Sequence, residues 1–226
     1  MKSKKHLIQL ARIIGVLLFF QSCAPSRVVR PLKKGEKQLS ANLGGPMLGF
    51  AGLVIPMPLS SISYAQGVSD KVTFFGGLHA TAMLYGVFQT DIGASINLYH
   101  PDSSQFGLSV NPVVNMAYDK WEGNFKLWPE IDVNAYWEFN QDKSFAYVGV
   151  SNWFELSNTR AHEEIQENRW LVNPHFGYTY VRNKWNYNFE TKWLVPNIAT
   201  KPNVVDYKGV NGKGGIGIYF TVTRKF

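Results

Sequence analysis

Asp91, Glu130, Asp132, Glu138, Glu155 and Glu190 share one feature with His79, His175, Lys192, Lys213 and Lys225: each falls on the polar side of a segment that alternates polar and apolar residues. Carboxylates and imidazoles gathered on one face are the material of general acid–base catalysis, because either can take a proton from water or a hydroxyl. His175 lies near the middle of its segment and His79 near an end, with Asp91 and Glu130 as conceivable partners. No stretch carries a nucleophile and base in a recognisable local motif. The competing reading is a closed polar network of Asp91, Glu130, Asp132, Glu138, His175, Glu190 and Lys192, in which acids and bases neutralise one another because unpaired buried charge is costly. Glu190 and Lys192, two apart on the same face, suit that reading. Neither a His/Cys cluster nor a paired-histidine spacing suggests a metal, and no cofactor is implied.

The elements that carry these residues read as strands, since side chains alternate sides with a period of two. In 185–196, Trp185, Tyr187, Phe189, Thr191, Trp193 and Val195 oppose Asn186, Asn188, Glu190, Lys192 and Leu194. The segment 127–139 sets Leu127, Pro129, Ile131, Val133, Ala135, Trp137 and Phe139 against Trp128, Glu130, Asp132, Asn134, Tyr136 and Glu138. Segments 170–181, 106–118 and 88–99 behave alike, and 38–43, 59–66, 71–80 and 145–156 are shorter or noisier. With the final segment, 216–226, about ten strands are predicted. A soluble barrel would turn the apolar faces inward; strand lengths near the 9–11 residues that cross a bilayer at a tilt, and aromatics at the ends of the apolar faces, favour the inverted arrangement. The polar face then lines the lumen.

Tight connections are expected at 67–70, 100–104, 140–144 and 182–184, and longer ones at 44–58, 81–87, 119–124, 157–169 and 197–211. Segment 44–58 contains no charge, so it is expected to fold into the mouth, lie on the membrane, dock on a protein partner or belong in part to the barrel wall. Segment 157–169 is polar and acidic, a solvated loop.

Charge is unevenly placed. The net +7 includes Lys2, Lys4, Lys5 and Arg12 in the first residues, and Arg27, Arg30, Lys33, Lys34 and Lys37 against Glu36 in 23–37. The rest of the chain carries 14 basic and 15 acidic residues. Basicity therefore belongs to a leader and a tether, which excludes a nucleic-acid-binding body. The tether is read as lying in the periplasm, against acidic headgroups or simply solvated.

Two stretches resemble known families. Gly215 to Phe226 places Ile216, Ile218, Phe220, Val222 and Phe226 on one face, and resembles the closing strand of bacterial outer-membrane β-barrels. The resemblance implies an all-β, closed antiparallel up-and-down transmembrane barrel, with Phe220, Val222 and Phe226 as the signal read by the barrel-assembly machinery; Arg224 stands where that family has an aromatic. Lys2 to Phe20 reads as a secretory leader too short to span a membrane as a helix. Phe20-Gln21-Ser22-Cys23, ending on the chain's single cysteine, resembles a relaxed lipobox of Bacteroidota. It implies a signal peptide at 1–22, lipidation at Cys23, a tether at 23–37 and a barrel at 38–226, anchored on the periplasmic side of a Gram-negative outer membrane. The function expected is a non-enzymatic accessory or structural envelope protein touching outer-membrane lipid, with a protein partner at 44–58 or the external loops. A narrow passive channel for small polar solutes and a rim enzyme, lipid A-modifying or proteolytic, are the alternatives.

Overall fold

A computed structural model describes residues 25, 27–50, 52–101, 104–139, 143–158, 165–200 and 206–226. The strands are β1 (Lys37–Phe50), β2 (Leu53–Pro56), β3 (Leu59–Ser69), β4 (Val72–Leu78), β5 (Val87–Tyr99), β6 (Phe106–Asp119), β7 (Phe125–Phe139), β8 (Ser144–Phe154), β9 (Trp170–Arg182), β10 (Trp185–Ala199) and β11 (Lys213–Lys225). A single helical turn, α1 (Ala80–Leu84), follows β4. From β3 to β11 each strand pairs antiparallel with the next, β1 pairs with β3, and β11 returns to β1 with Gln38 opposite Lys225 and Pro46 opposite Gly217. The ladder therefore closes as a barrel of ten strands, β1 and β3–β11. Closure leaves no wall edge unpaired, a requirement wherever lipid replaces water around the backbone.

The polarity is inverted relative to a soluble barrel. Thr73, Ser95, Ser109, Asn134 and Glu190 are fully shielded inside, whereas Leu43, Ile62, Phe74, Ile92, Val148, Phe176, Phe189 and Phe220 are exposed on the outer wall. Water would not tolerate so continuous an apolar belt, and hydrocarbon would. Aromatics ring both ends of this belt. Tyr99, Trp137, Phe139, Tyr180, Trp185 and Tyr187 stand towards the rim with the short turns; Phe88, Tyr118, Phe125 and Trp170 stand towards the rim with the long loops. Outward Arg224 sits at the turn rim, its guanidinium 5.7 Å from the Trp185 ring and 5.3 Å from the Phe226 ring. It is held between interfacial aromatics rather than against acyl chains.

The expected alternation maps closely onto the observed strands. Segment 44–58, expected as a long loop or in part as wall, is wall in its first residues and a hairpin beyond. Gly44–Pro46 belong to the wall opposite Gly217–Tyr219. Beyond them Met47–Phe50 and Leu53–Pro56 form a hairpin that rises past the rim, braced by Gly49 N–H donating to Asp206 and Lys208 N–H donating to Met47. Gly44 is the last residue of β1 that pairs with β3; its φ is +143° and a Cβ there would overlap the Ile218 carbonyl oxygen. A side chain is excluded there on both counts. Phe50, Leu53, Val54 and Ile55 remain exposed on the hairpin.

Candidate functional site

The lumen is divided between wall side chains and a strap formed by Arg27–Leu32. The strap enters at the turn rim, where Gly35 N–H donates to the Gly67 carbonyl, Gly67 N–H to Glu36, and Lys34 N–H to Asp70 Oδ1. Gly67 is needed for this approach, since a Cβ there would overlap the Lys33 carbonyl oxygen. Leu32 N–H then donates to Thr73 Oγ1 at 2.7 Å. Deeper in, Ser109 Oγ donates to the Val29 carbonyl at 2.6 Å and Asn111 Nδ2 to the Val28 carbonyl at 2.9 Å. Polar wall groups thus bond the strap's backbone, as burial requires.

Its side chains pack against the inner wall. Val28 and Leu32 pack with Ala65, Phe75 and Val113; Val29 packs with Tyr136, Phe145 and Tyr147. Two guanidinium groups fix the register. Arg27 makes a two-pronged pair with Asp91, Nε at 3.2 Å and Nη2 at 2.5 Å, while Nη1 donates to Ser61 Oγ at 2.6 Å. His79 Nε2 lies 2.9 Å from Asp91 Oδ2. The same Nε2 is 3.3 Å from Arg27 Nη2, and burial at the loop rim holds this imidazole below its ordinary pKa. Space for the cluster comes from Gly77, where a Cβ would stand 2.9 Å from both Arg27 Nη2 and Asp91 Oδ2. Arg30 donates to Glu138 Oε1 at 2.9 Å and to the Lys143 carbonyl at 2.8 Å, over the Phe145 ring at 4.8 Å.

Across the lumen a second cluster involves only wall residues. Tyr147 OH donates to Glu190 Oε2 at 2.7 Å, and Lys192 Nζ stands 3.7 Å from Glu190 Oε1. His175 Nε2 meets Asn134 Oδ1 at 2.8 Å. Ser151 Oγ bridges Glu130 and Asp132, and Asn115 Nδ2 donates to Glu130 Oε2 at 3.1 Å. Near the loop rim, Lys126 pairs with Glu155 at 2.5 Å.

The sites expected from the sequence therefore lie in three neighbourhoods rather than one. Asp91 and His79 hold Arg27; Glu138 holds Arg30; Glu130, Asp132, His175, Glu190 and Lys192 form the far-wall cluster. His175 Nε2 meets an amide oxygen, and His79 Nε2 meets a carboxylate that also holds arginine. Lys213 is exposed at the loop-side start of β11 instead of inside the lumen. Phe220 and Phe226 are exposed on the outer face of β11, and Phe226 N–H donates to the Lys37 carbonyl. Cys23 and the leader lie outside the described residues. Among those residues, no group of three or more His, Cys, Asp or Glu could hold a metal ion.

One expectation is corrected for part of the tether. Arg27–Leu32 lie inside the barrel, where the wall offers carboxylates and hydrogen-bond donors, whereas Lys33, Lys34 and Lys37 are exposed at the turn rim. Arg27 and Arg30 were absent from the sequence-derived site, since a strap without periodicity gives no facing signal. Val28, Val29 and Leu32, apolar among cations, were the available clue.

No protein-family model and no curated relative matches the chain. Solved structures do. The translocator domain of autotransporter NalP from Neisseria meningitidis aligns over 100% of this chain and 97% of its own, at 10% identity and TM-score 0.44. The COG4313 outer membrane channel from Pseudomonas putida F1 aligns over 90% of this chain and 99% of its own, at 8% identity and TM-score 0.46. The outer membrane protein OprG from Pseudomonas aeruginosa covers 88% of this chain and 99% of its own, at 12% identity and TM-score 0.33. These likenesses are distant, and the barrel is defined by its own closed ladder.

Proposed function

We propose that the chain is a non-enzymatic outer-membrane β-barrel lipoprotein of a Gram-negative envelope, kept closed by its own N-terminal strap and serving an accessory or structural role. The observation that carries this reading is the strap: Arg27–Leu32 occupy the lumen and are bonded to the wall by backbone, apolar and ionic contacts together. A small barrel whose interior is already filled by its own chain has no path for solute. The engagement of His79 and His175 by structural partners supports the non-enzymatic part. The short-turn rim, with Lys37 and Phe226, faces the periplasm in this reading, and the apolar β1–β2 hairpin offers a surface for a protein partner. Purified protein in planar bilayers should show no steady, discrete openings; such openings from the intact chain would displace the closed reading.

Lipidation at Cys23 belongs to the proposal, but the strap constrains where the lipid sits. Asp91, which holds Arg27, is eight residues from the turn end of β5, roughly 20 Å up the barrel axis at ordinary strand rise and tilt. Cys23 is four positions before Arg27, a stretch of at most about 14 Å. A seated strap that runs towards the loop rim favours an anchor on that side over the periplasmic seat expected, and we propose the loop side. Palmitate labelling lost in Cys23→Ser, together with detection on intact cells of an epitope inserted after Cys23, is the expected result. An epitope reached only after the outer membrane is opened would contradict that placement.

A further inference from the structure

Beyond a closed barrel, we infer that the strap is a removable plug over a cation-selective passage. The wall and the strap are complementary in charge: Arg27 and Arg30 enter from the strap, and Asp91 and Glu138 receive them from β5 and β7. Facing the same interior are Glu130, Asp132 and Glu190, with Lys192 the one buried ammonium among the described residues, while Lys126 and Lys143 reach Glu155 and Glu138 nearer the rims. Withdrawing the strap takes two guanidinium groups from the lumen and leaves the carboxylates. Acidic linings in a low-dielectric wall concentrate cations and repel anions. The strap's volume would be vacated at the same time, since Val28, Val29 and Leu32 fill the space between Phe75, Val113, Tyr136 and Phe145.

The attachment is built for removal without dismantling the wall. No strap residue belongs to the β ladder, which closes through β1 and β11 independently of residues 27–32. Its contacts are side-chain bonds, two ion pairs and packing, while its exit point at Gly35 is exposed with no atom within 4 Å of a Cβ there. Water and salt can replace the guanidinium contacts as the strap leaves, which a ladder of backbone bonds would resist.

The test uses the folded full chain. A protease site inserted between Lys34 and Gly35 in a Cys23→Ser protein allows the strap to be cut after folding and reconstitution. The uncut barrel should be silent. After cutting and washing in high salt, the strap peptide should be recovered by mass spectrometry and discrete openings should appear, with a reversal potential in a KCl gradient showing several-fold preference for potassium. Arg27→Glu should hasten peptide release, and Arg27→Glu with Asp91→Arg should slow it again. A cut strap that stays bound in high salt, a released strap with a silent or anion-selective barrel, or release indifferent to Arg27→Glu would each overturn the inference.

Discussion

At the residue scale, Arg27 and Asp91 make the clearest demand on the molecule. Each side chain is nearly fully shielded, and each satisfies the other through two bonds. Removing one partner leaves the other buried without its opposite charge, with only His79 beside Asp91 or Ser61 and His79 beside Arg27, a loss of up to about 3–5 kcal/mol. Arg27→Leu and Asp91→Leu should each lower the temperature at which the folded, fast-migrating band converts to the unfolded one on a gel. The double substitution should recover most of the loss, because two apolar groups need no partner. Gly77→Val should act like the single variants by pushing a methyl group into the pair. Asp91 was legible in the sequence because its strand alternates and its carboxylate falls on the polar face. Its partner was not: Arg27 sits in extended chain without periodicity, and basic residues near a lipidation motif read equally well as headgroup contacts.

Among elements, the wall strands and the β1–β2 hairpin differ in how their sequence shows them. Strand β7 declared itself, since Ile131, Val133 and Trp137 are exposed where Asp132, Asn134 and Tyr136 are buried. Closed barrels in lipid impose that contrast on almost every residue, so the period-two signal survives without an alignment. The hairpin gave no such contrast. Phe50, Leu53, Val54 and Ile55 are apolar and exposed regardless of side, so neither pairing nor facing could be read from 44–58. Gly44 is the last residue of β1 paired with β3, just below the hairpin. Gly44→Val should prevent closure and leave only the heat-unfolded gel band, as it combines a left-handed φ with overlap on the Ile218 carbonyl. Replacing Leu48–Ile55 by a short Asn-Gly turn should spare the fast-migrating folded band, because the ladder below Met47 pairs with β3 and β11 without it. Loss of folding in that deletion would show the hairpin to be part of the wall's stability rather than an appendage.

For the whole molecule, the account comes down to an inverted barrel that contains its own N-terminal segment. The body is nearly balanced, with 14 basic and 15 acidic residues, while the tether is basic, and the strap carries two of its arginines to acids in the wall. Composition revealed the imbalance but could not reveal the contact, because charge counts carry no position. Strap and wall can be tested together by spin labels at single cysteines in a Cys23→Ser background, where no other thiol exists. In reconstituted bilayers, labels at Leu43, Val148 and Phe176 should collide readily with dissolved oxygen and poorly with a water-soluble nickel reagent. A label at Val29 should be immobilised and shielded from both. A mobile Val29 label open to the nickel reagent would contradict the strap, and nickel-accessible labels at Leu43, Val148 and Phe176 would contradict the membrane barrel itself.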